Sequence, residues 1–91
     1  MKDRNALVTG STRGIGAAVA EALAAEGCNV MLSGFGETAA IEAERERLAR
    51  QYGVSVAYNP ADLSKEADCD SLVEATVEAF GSVDILVNNA V

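Results

Sequence analysis

The chain has 91 residues, a hydrophobic fraction of 49% and a formal net charge of −7 at pH 7. That length suits one small domain, and the acidity argues against nucleic acid and against an anionic membrane surface as partners. It does not exclude an anionic small ligand, because a helix N-terminus and one local arginine outweigh distant surface charge.

Lys2, Asp3, Arg4 and Asn5 interrupt any secretory leader, and no apolar run approaches a membrane span, so a soluble, cytoplasmic protein with no membrane partner is expected. Ala6 to Thr9 reads as a first strand. From about Arg13 the period changes: Ile15, Ala18, Val19, Ala22 and Leu23 recur at three and four and predict one helical stripe, stopped by Gly27. Asn29 to Ser33 reads as a second strand, and Gly34-Phe35-Gly36 as a break. A charged helix follows from about Glu37 to Tyr52, with Ile41, Leu48 and Tyr52 inward. Its outer face reads as solvated, with Glu46 and Arg50 as a favourable i,i+4 pair and Glu42 and Glu46 as an unfavourable one.

Gly53 ends that helix. Val54 to Tyr58 is a third strand, and Asn59-Pro60 a turn. Ser64 is a plausible N-cap for a third helix with Leu72, Val73, Thr76, Val77 and Phe80 on one face. Gly81 closes it, Val83 to Val87 is a fourth strand, and Asn88-Asn89-Ala90-Val91 follows. Cys28 and Cys69 read as plain buried or half-buried thiols. With no histidine in the chain, no common structural-zinc pattern can be written and no metal site is expected.

The order β-α-β-α-β-α-β implies an α/β fold, a parallel sheet with covering helices. Right-handed crossovers give strand order 3-2-1-4, the amino-terminal part of a doubly wound (Rossmann) sheet whose crevice opens above the ends of strands one and four. The glycine stretch Thr9-Gly10-Ser11-Thr12-Arg13-Gly14-Ile15-Gly16 falls at one side of that crevice and Asn88-Asn89-Ala90 at the other. Gly10 permits a tight turn. Gly14 and Gly16 leave bare backbone at a helix start, where free N–H groups and the helix field favour a pyrophosphate. Ser11 and Thr12 could donate further hydrogen bonds. No Gly-Lys-Ser/Thr follows, so the stretch is not a triphosphate loop. The bland alternative is a purely structural turn.

The spacing Thr-Gly-x-x-x-Gly-x-Gly resembles the short-chain dehydrogenase/reductase family, over essentially all of the chain. Thr9, Gly10, Gly14, Ile15 and Gly16 look like its cofactor loop. Asp62 and Leu63 look like the pair that meets the adenine. Asn88, Asn89 and Ala90 look like the start of its Asn-Asn-Ala-Gly motif, approached through Asp84-Ile85-Leu86-Val87, and Val91 departs from the motif's glycine. Met31 to Gly36, with Ile41-Glu42 and Ala61 to Ser64, is similar to the family's bacterial 3-hydroxybutyrate dehydrogenases, which oxidise the alcohol with NAD. The resemblance implies a nicotinamide dinucleotide, NAD or NADP, held by Thr9, Gly10, Ser11, Thr12, Arg13, Gly14, Ile15, Gly16, Phe35, Asp62, Leu63, Asn88 and Ala90.

The choice of cofactor stays open at this point. Met31 to Gly36 contains no acid to accept from both ribose hydroxyls as NAD selection normally requires, and Glu37 is the first. Arg13 is placed for the 2′-phosphate of NADP, while the 3-hydroxybutyrate resemblance favours NAD.

The family's catalytic Ser and Tyr-x-x-x-Lys do not occur: Tyr52 is followed four residues on by Val56, and Tyr58 by Asp62. Tyr52 and Tyr58 read as packing residues. Residues 1–91 therefore read as a partial dinucleotide-binding domain truncated after strand four. It would be inactive alone on a small alcohol or ketone, and a homo-oligomer (a tetramer) when full length. The other readings are a non-catalytic dinucleotide-binding module, a fragment of an NADPH enzyme like a 3-oxoacyl-thioester reductase, or a structural fragment that binds nothing.

Overall fold

A computed structural model describes residues 2–12, 14–60 and 66–89. Its elements are β1 (Asn5–Val8), α1 (Gly14–Ala25), β2 (Asn29–Ser33), α2 (Thr38–Tyr52), β3 (Val56–Asn59), α3 (Glu66–Phe80) and β4 (Ile85–Val87). The strands form one sheet in the order β3-β2-β1-β4, and all three pairings are parallel. Leu7 stands between Met31 of β2 and Leu86 of β4, which fixes the register across the centre. The doubly wound half expected from the alternation is the observed fold.

The first two strands are apolar throughout their centres because both sheet faces are covered. Ala6, Val8, Val30, Leu32 and Val56 pack with Ala20, Ala24 and Leu48, so α1 and α2 lie on one face. Leu7 and Met31 pack with Leu72 of α3 on the other. Cys28 is buried in the first cluster, as a plain thiol would be. Cys69 belongs to α3, but the placement of its side chain lies outside what is described.

Three expectations about packing are corrected. The inner face of α1 is Gly16, Ala20 and Ala24, with Ile15, Ala18 and Ala22 turned outward. Small side chains let this helix sit close to the sheet, and the larger Val19 and Leu23 pack at its flank. Close approach, rather than side-chain size, selected the buried stripe. On α3, Leu72 and Thr76 are buried, but Val73 and Val77 are each 44% exposed. On β4, the strand is shorter than Val83 to Val87, and Leu86 is 61% exposed. β4 is an edge of the sheet, and among the described residues only β1 pairs with it.

The helix stops are local chemistry. After α1, Gly27 takes a left-handed φ of 92°, its N–H donates to the Ala24 carbonyl at 2.9 Å, and the Cys28 N–H donates to Leu23 at 3.0 Å. That pair of bonds satisfies carbonyls the helix end would leave open, and the positive φ is why a glycine stands there.

The charged face of α2 is more than a solvated surface. Arg47 pairs with Glu44 of its own helix and with Glu21 of α1 at 3.0 Å, and the Tyr52 hydroxyl donates to Glu21 at 2.7 Å. Arg45 meets Glu42 at 3.0 Å and lies 4.0 Å from Glu46, so Arg45 takes the role expected of Arg50. The Arg47 hydrogen bond, with Tyr52 second, holds the Glu21 carboxyl below the usual carboxylate range, and Arg47 does the same for Glu44. The same contacts raise Arg47 further and push Tyr52 up.

A depressed folded-state value means the stabilisation is present above the unfolded carboxylate range and is lost as pH falls through the folded value. The thermal midpoint is therefore expected to fall on acidification through and below the ordinary glutamate range. Glu21→Gln should flatten part of that fall, and high salt should blunt the difference because the pair is exposed. Parallel pH profiles for the two proteins at low salt would show that the α1–α2 tie contributes nothing.

Candidate functional site

The crevice lies where the order reverses, between β2 and β4 on either side of β1, at the carboxyl ends of the strands. Thr9 follows β1 directly. Its N–H donates to the Val87 carbonyl at 3.0 Å. Its hydroxyl lies 3.2 Å from Asn88 Oδ1 and accepts from the Asn89 N–H at 2.8 Å. Asn89 Nδ2 also reaches the Gly10 carbonyl at 3.4 Å. Positions about eighty apart in sequence thus meet at one mouth, as the topology requires.

Gly10 turns the chain with φ 60°. Gly16 then passes under it so closely that an added Cβ would lie 2.0 Å from the Gly10 carbonyl oxygen and 2.8 Å from Asn89 Nδ2. Gly14, at φ 65°, faces open space, with nothing within 4 Å of an added Cβ. One glycine is required by packing, and the other leaves bare backbone at the mouth. The N–H groups of the first turn of α1 have no partner within the helix. Together with the helix field they make a cradle that fits a pyrophosphate.

The hydroxyls of Ser11 and Thr12, expected to be available to a ligand, bond to backbone groups in this structure. The Ser11 hydroxyl donates to the Ser33 carbonyl at 3.3 Å and accepts from the Ser33 N–H at 2.8 Å, and the Ser11 N–H donates to the same carbonyl at 2.7 Å. The Thr12 hydroxyl donates to the Phe35 carbonyl at 2.7 Å. A hydroxyl has one proton to give, so both are struts that join the glycine loop to the end of β2. Ile15 and Phe35 are 75% and 65% exposed, two apolar side chains left at the surface beside the mouth.

Between the loop and α2, Ser11, Thr12, Leu32, Glu37, Ala40, Ile41 and Glu44 line a cavity of about 120 Å³. Glu37 precedes α2 without a side-chain capping bond. Of the predicted site residues, Thr9, Gly10, Ser11, Thr12, Gly14, Ile15, Gly16, Phe35 and Asn88 belong to this assembly. Arg13, Asp62, Leu63 and Ala90, with the departing Val91 and the Ser64 cap, lie outside the described residues.

The family described as short chain dehydrogenase matches residues 4–91. The chain belongs to the short-chain dehydrogenase family. It is 44% identical over 90 residues to a D-beta-hydroxybutyrate dehydrogenase of Cupriavidus necator, covering 99% of this chain and 34% of that enzyme. It is 38% identical over 87 residues to a diacetyl reductase [(S)-acetoin forming] of Staphylococcus epidermidis, covering 96% of this chain and 33% of that enzyme. Among solved structures, it superposes on an L-sorbose reductase of Gluconobacter frateurii, complexed with NADPH and L-sorbose, with a TM-score of 0.91 at 34% identity. That match covers 100% of this chain and 34% of the reductase. The chain spans about a third of the length of these short-chain dehydrogenase relatives.

Two residues contribute contacts that sequence spacing does not mark. In the sequence Asn89 stands out only as part of a motif, yet its backbone N–H binds Thr9 and its amide binds Gly10. Tyr58, expected to pack at a strand end, donates its hydroxyl to the Gly34 carbonyl at 2.6 Å. Both partners are backbone carbonyls or distant hydroxyls, which leave no mark in sequence spacing.

Proposed function

We propose that this chain is the dinucleotide-binding part of an NAD(P)-dependent oxidoreductase that interconverts a secondary alcohol and a ketone. The observation that supports it most is the Gly10–Gly16 contact, which brings the first turn of α1 against a bare loop at the crevice. Gly10, Gly14, Ile15 and Gly16 would hold the pyrophosphate through backbone N–H groups, and Phe35 and the end of β2 would flank the adenosine ribose. When bound, the nicotinamide supplies hydride chemistry. Asp62, Leu63, Asn88 and Ala90 complete the proposed contacts. A 3-hydroxybutyrate-type substrate is favoured by the identity to the Cupriavidus enzyme, and the protein is proposed to act as a homo-oligomer when full length.

Titration of the purified chain with NADH and NADPH by fluorescence tests the reading. Saturable binding of either, displaced by ADP-ribose, is expected, and binding of neither overturns it. Arg13→Ser then separates the two cofactors. A guanidinium on the 2′-phosphate is worth about 1.5–3 kcal/mol, roughly a 10- to 150-fold loss for NADPH with NADH unchanged. An equal effect on both would place Arg13 at the shared pyrophosphate or the surface and favour NAD.

A further inference from the structure

The segment between β2 and α2 is held by its carbonyls from two sides. Tyr58, at the end of β3, donates to the Gly34 carbonyl at 2.6 Å. Thr12, in the glycine loop, donates to the next carbonyl, that of Phe35, at 2.7 Å. The contact is close on the Thr12 side as well: Gly34 has φ 143°, and an added Cβ there would lie 2.8 Å from Thr12 Oγ1. The ring of Tyr58 packs against the core beneath α1 and α2, so its hydroxyl is carried on a fixed element and not on a mobile stem. A phenol holds its proton at neutral pH, and burial pushes the Tyr58 hydroxyl further up, so it stays a donor.

We propose that Tyr58, acting with Thr12, is a positioning residue that sets the Gly34–Phe35 backbone against the adenosine half of the dinucleotide. The inference rests on the dinucleotide reading above. In doubly wound sheets the end of the second strand faces the adenosine ribose, while the pyrophosphate lies on the first helix. Both Tyr58 and Thr12 give their hydroxyl protons to the loop itself, so neither hydroxyl proton is left for the ligand. Their effect is on the fraction of molecules whose loop is already in place, and apparent affinity scales with that fraction.

The test compares wild type with Tyr58→Phe, using three probes in calorimetric titrations: the dinucleotide that binds more tightly, 5′-AMP, and inorganic pyrophosphate. Loss of one neutral hydrogen bond should raise the Kd of dinucleotide and 5′-AMP together by about 3- to 10-fold and leave pyrophosphate unchanged. Thr12→Val, which removes the other donor, should reproduce the pattern and serves if Tyr58→Phe fails to fold. Equal weakening of 5′-AMP and pyrophosphate would mean a general structural role, and no weakening would mean the loop needs no pin. Either overturns the proposal while leaving the dinucleotide reading intact. Failure of wild type to bind any dinucleotide overturns that reading, and this one with it.

Discussion

Gly16→Ala is expected to remove dinucleotide binding and to destabilise the chain by at least about 1–3 kcal/mol, the usual cost of overpacking a close contact. The added methyl would lie 2.0 Å from the Gly10 carbonyl oxygen and 2.7 Å from its carbon. Neither is the end of a flexible side chain. Relief therefore requires α1 to back away from the sheet or the glycine loop to move outward. The first breaks the packing of Ala20 and Ala24, which are fully buried on the same face. The second strains the Asn89–Gly10 contact and carries the loop away from the helix N-terminus proposed to hold the pyrophosphate. Gly14→Ala is the control. Nothing lies within 4 Å of its added methyl, so the cost is confined to the left-handed backbone, at φ 65°, and is about 1–2 kcal/mol. Urea unfolding of the two variants should separate them clearly, while NADH or NADPH titration is read on Gly16→Ala alone, because Gly14 itself belongs to the proposed cradle. Wild-type stability and affinity in Gly16→Ala would show that the loop yields without cost.

The sheet order and the glycine loop were legible because they depend on periodicity and on a residue with no side chain. Alternating apolar strands and helical stretches admit few right-handed topologies, and glycines between a strand and a helix have a narrow set of uses. The orientation of α1 was not legible. A stretch containing Ile15, Ala18, Val19, Ala22 and Leu23 offers a plausible apolar stripe, but Gly16, Ala20 and Ala24 offer a closer one, and the choice belongs to the sheet surface it packs on. The direction of the Ser11 and Thr12 hydroxyls was hidden for a similar reason. Their acceptors are the carbonyls of Ser33 and Phe35, and any sequence supplies carbonyls. The Arg47–Glu21 tie was hidden because it spans two helices, whereas i,i+4 spacing reports only on one.

Asn5→Ala is expected to lower stability by about 1.5–4.5 kcal/mol while leaving dinucleotide affinity unchanged, because Asn5 closes the end of the sheet opposite the crevice. Its side chain is buried at the start of β1. Nδ2 donates to the Phe80 carbonyl at 3.2 Å and to the Ser82 hydroxyl at 3.0 Å, and Oδ1 accepts from Asn29 Nδ2 at 2.9 Å. Asn29 Oδ1 in turn accepts from the Ser55 N–H at 3.0 Å, so one amide joins β1 and β2 to the end of α3 and is linked onward to the start of β3. Three bonds at about 0.5–1.5 kcal/mol each set the range, a large share of a domain whose total is about 5–15 kcal/mol. Asn5→Asp sharpens the test. It preserves the shape and the acceptor for Asn29, but it places a carboxylate where the amide gave two protons, near Asp84, whose Oδ2 accepts from the Asn5 N–H at 2.9 Å and lies 3.2 Å from Ser82 Oγ. Burial and the neighbouring carboxylate both disfavour its charged form and raise its folded-state pKa. A raised value means the proton is held more tightly in the folded chain, so the penalty of Asn5→Asp at neutral pH should shrink as pH falls through that value. Urea midpoints for the two variants across pH, with dinucleotide titrations at neutral pH, check both halves. A loss of affinity in Asn5→Ala matching the loss of stability would mean that the two ends of the sheet are coupled and that the crevice is not set by its own contacts.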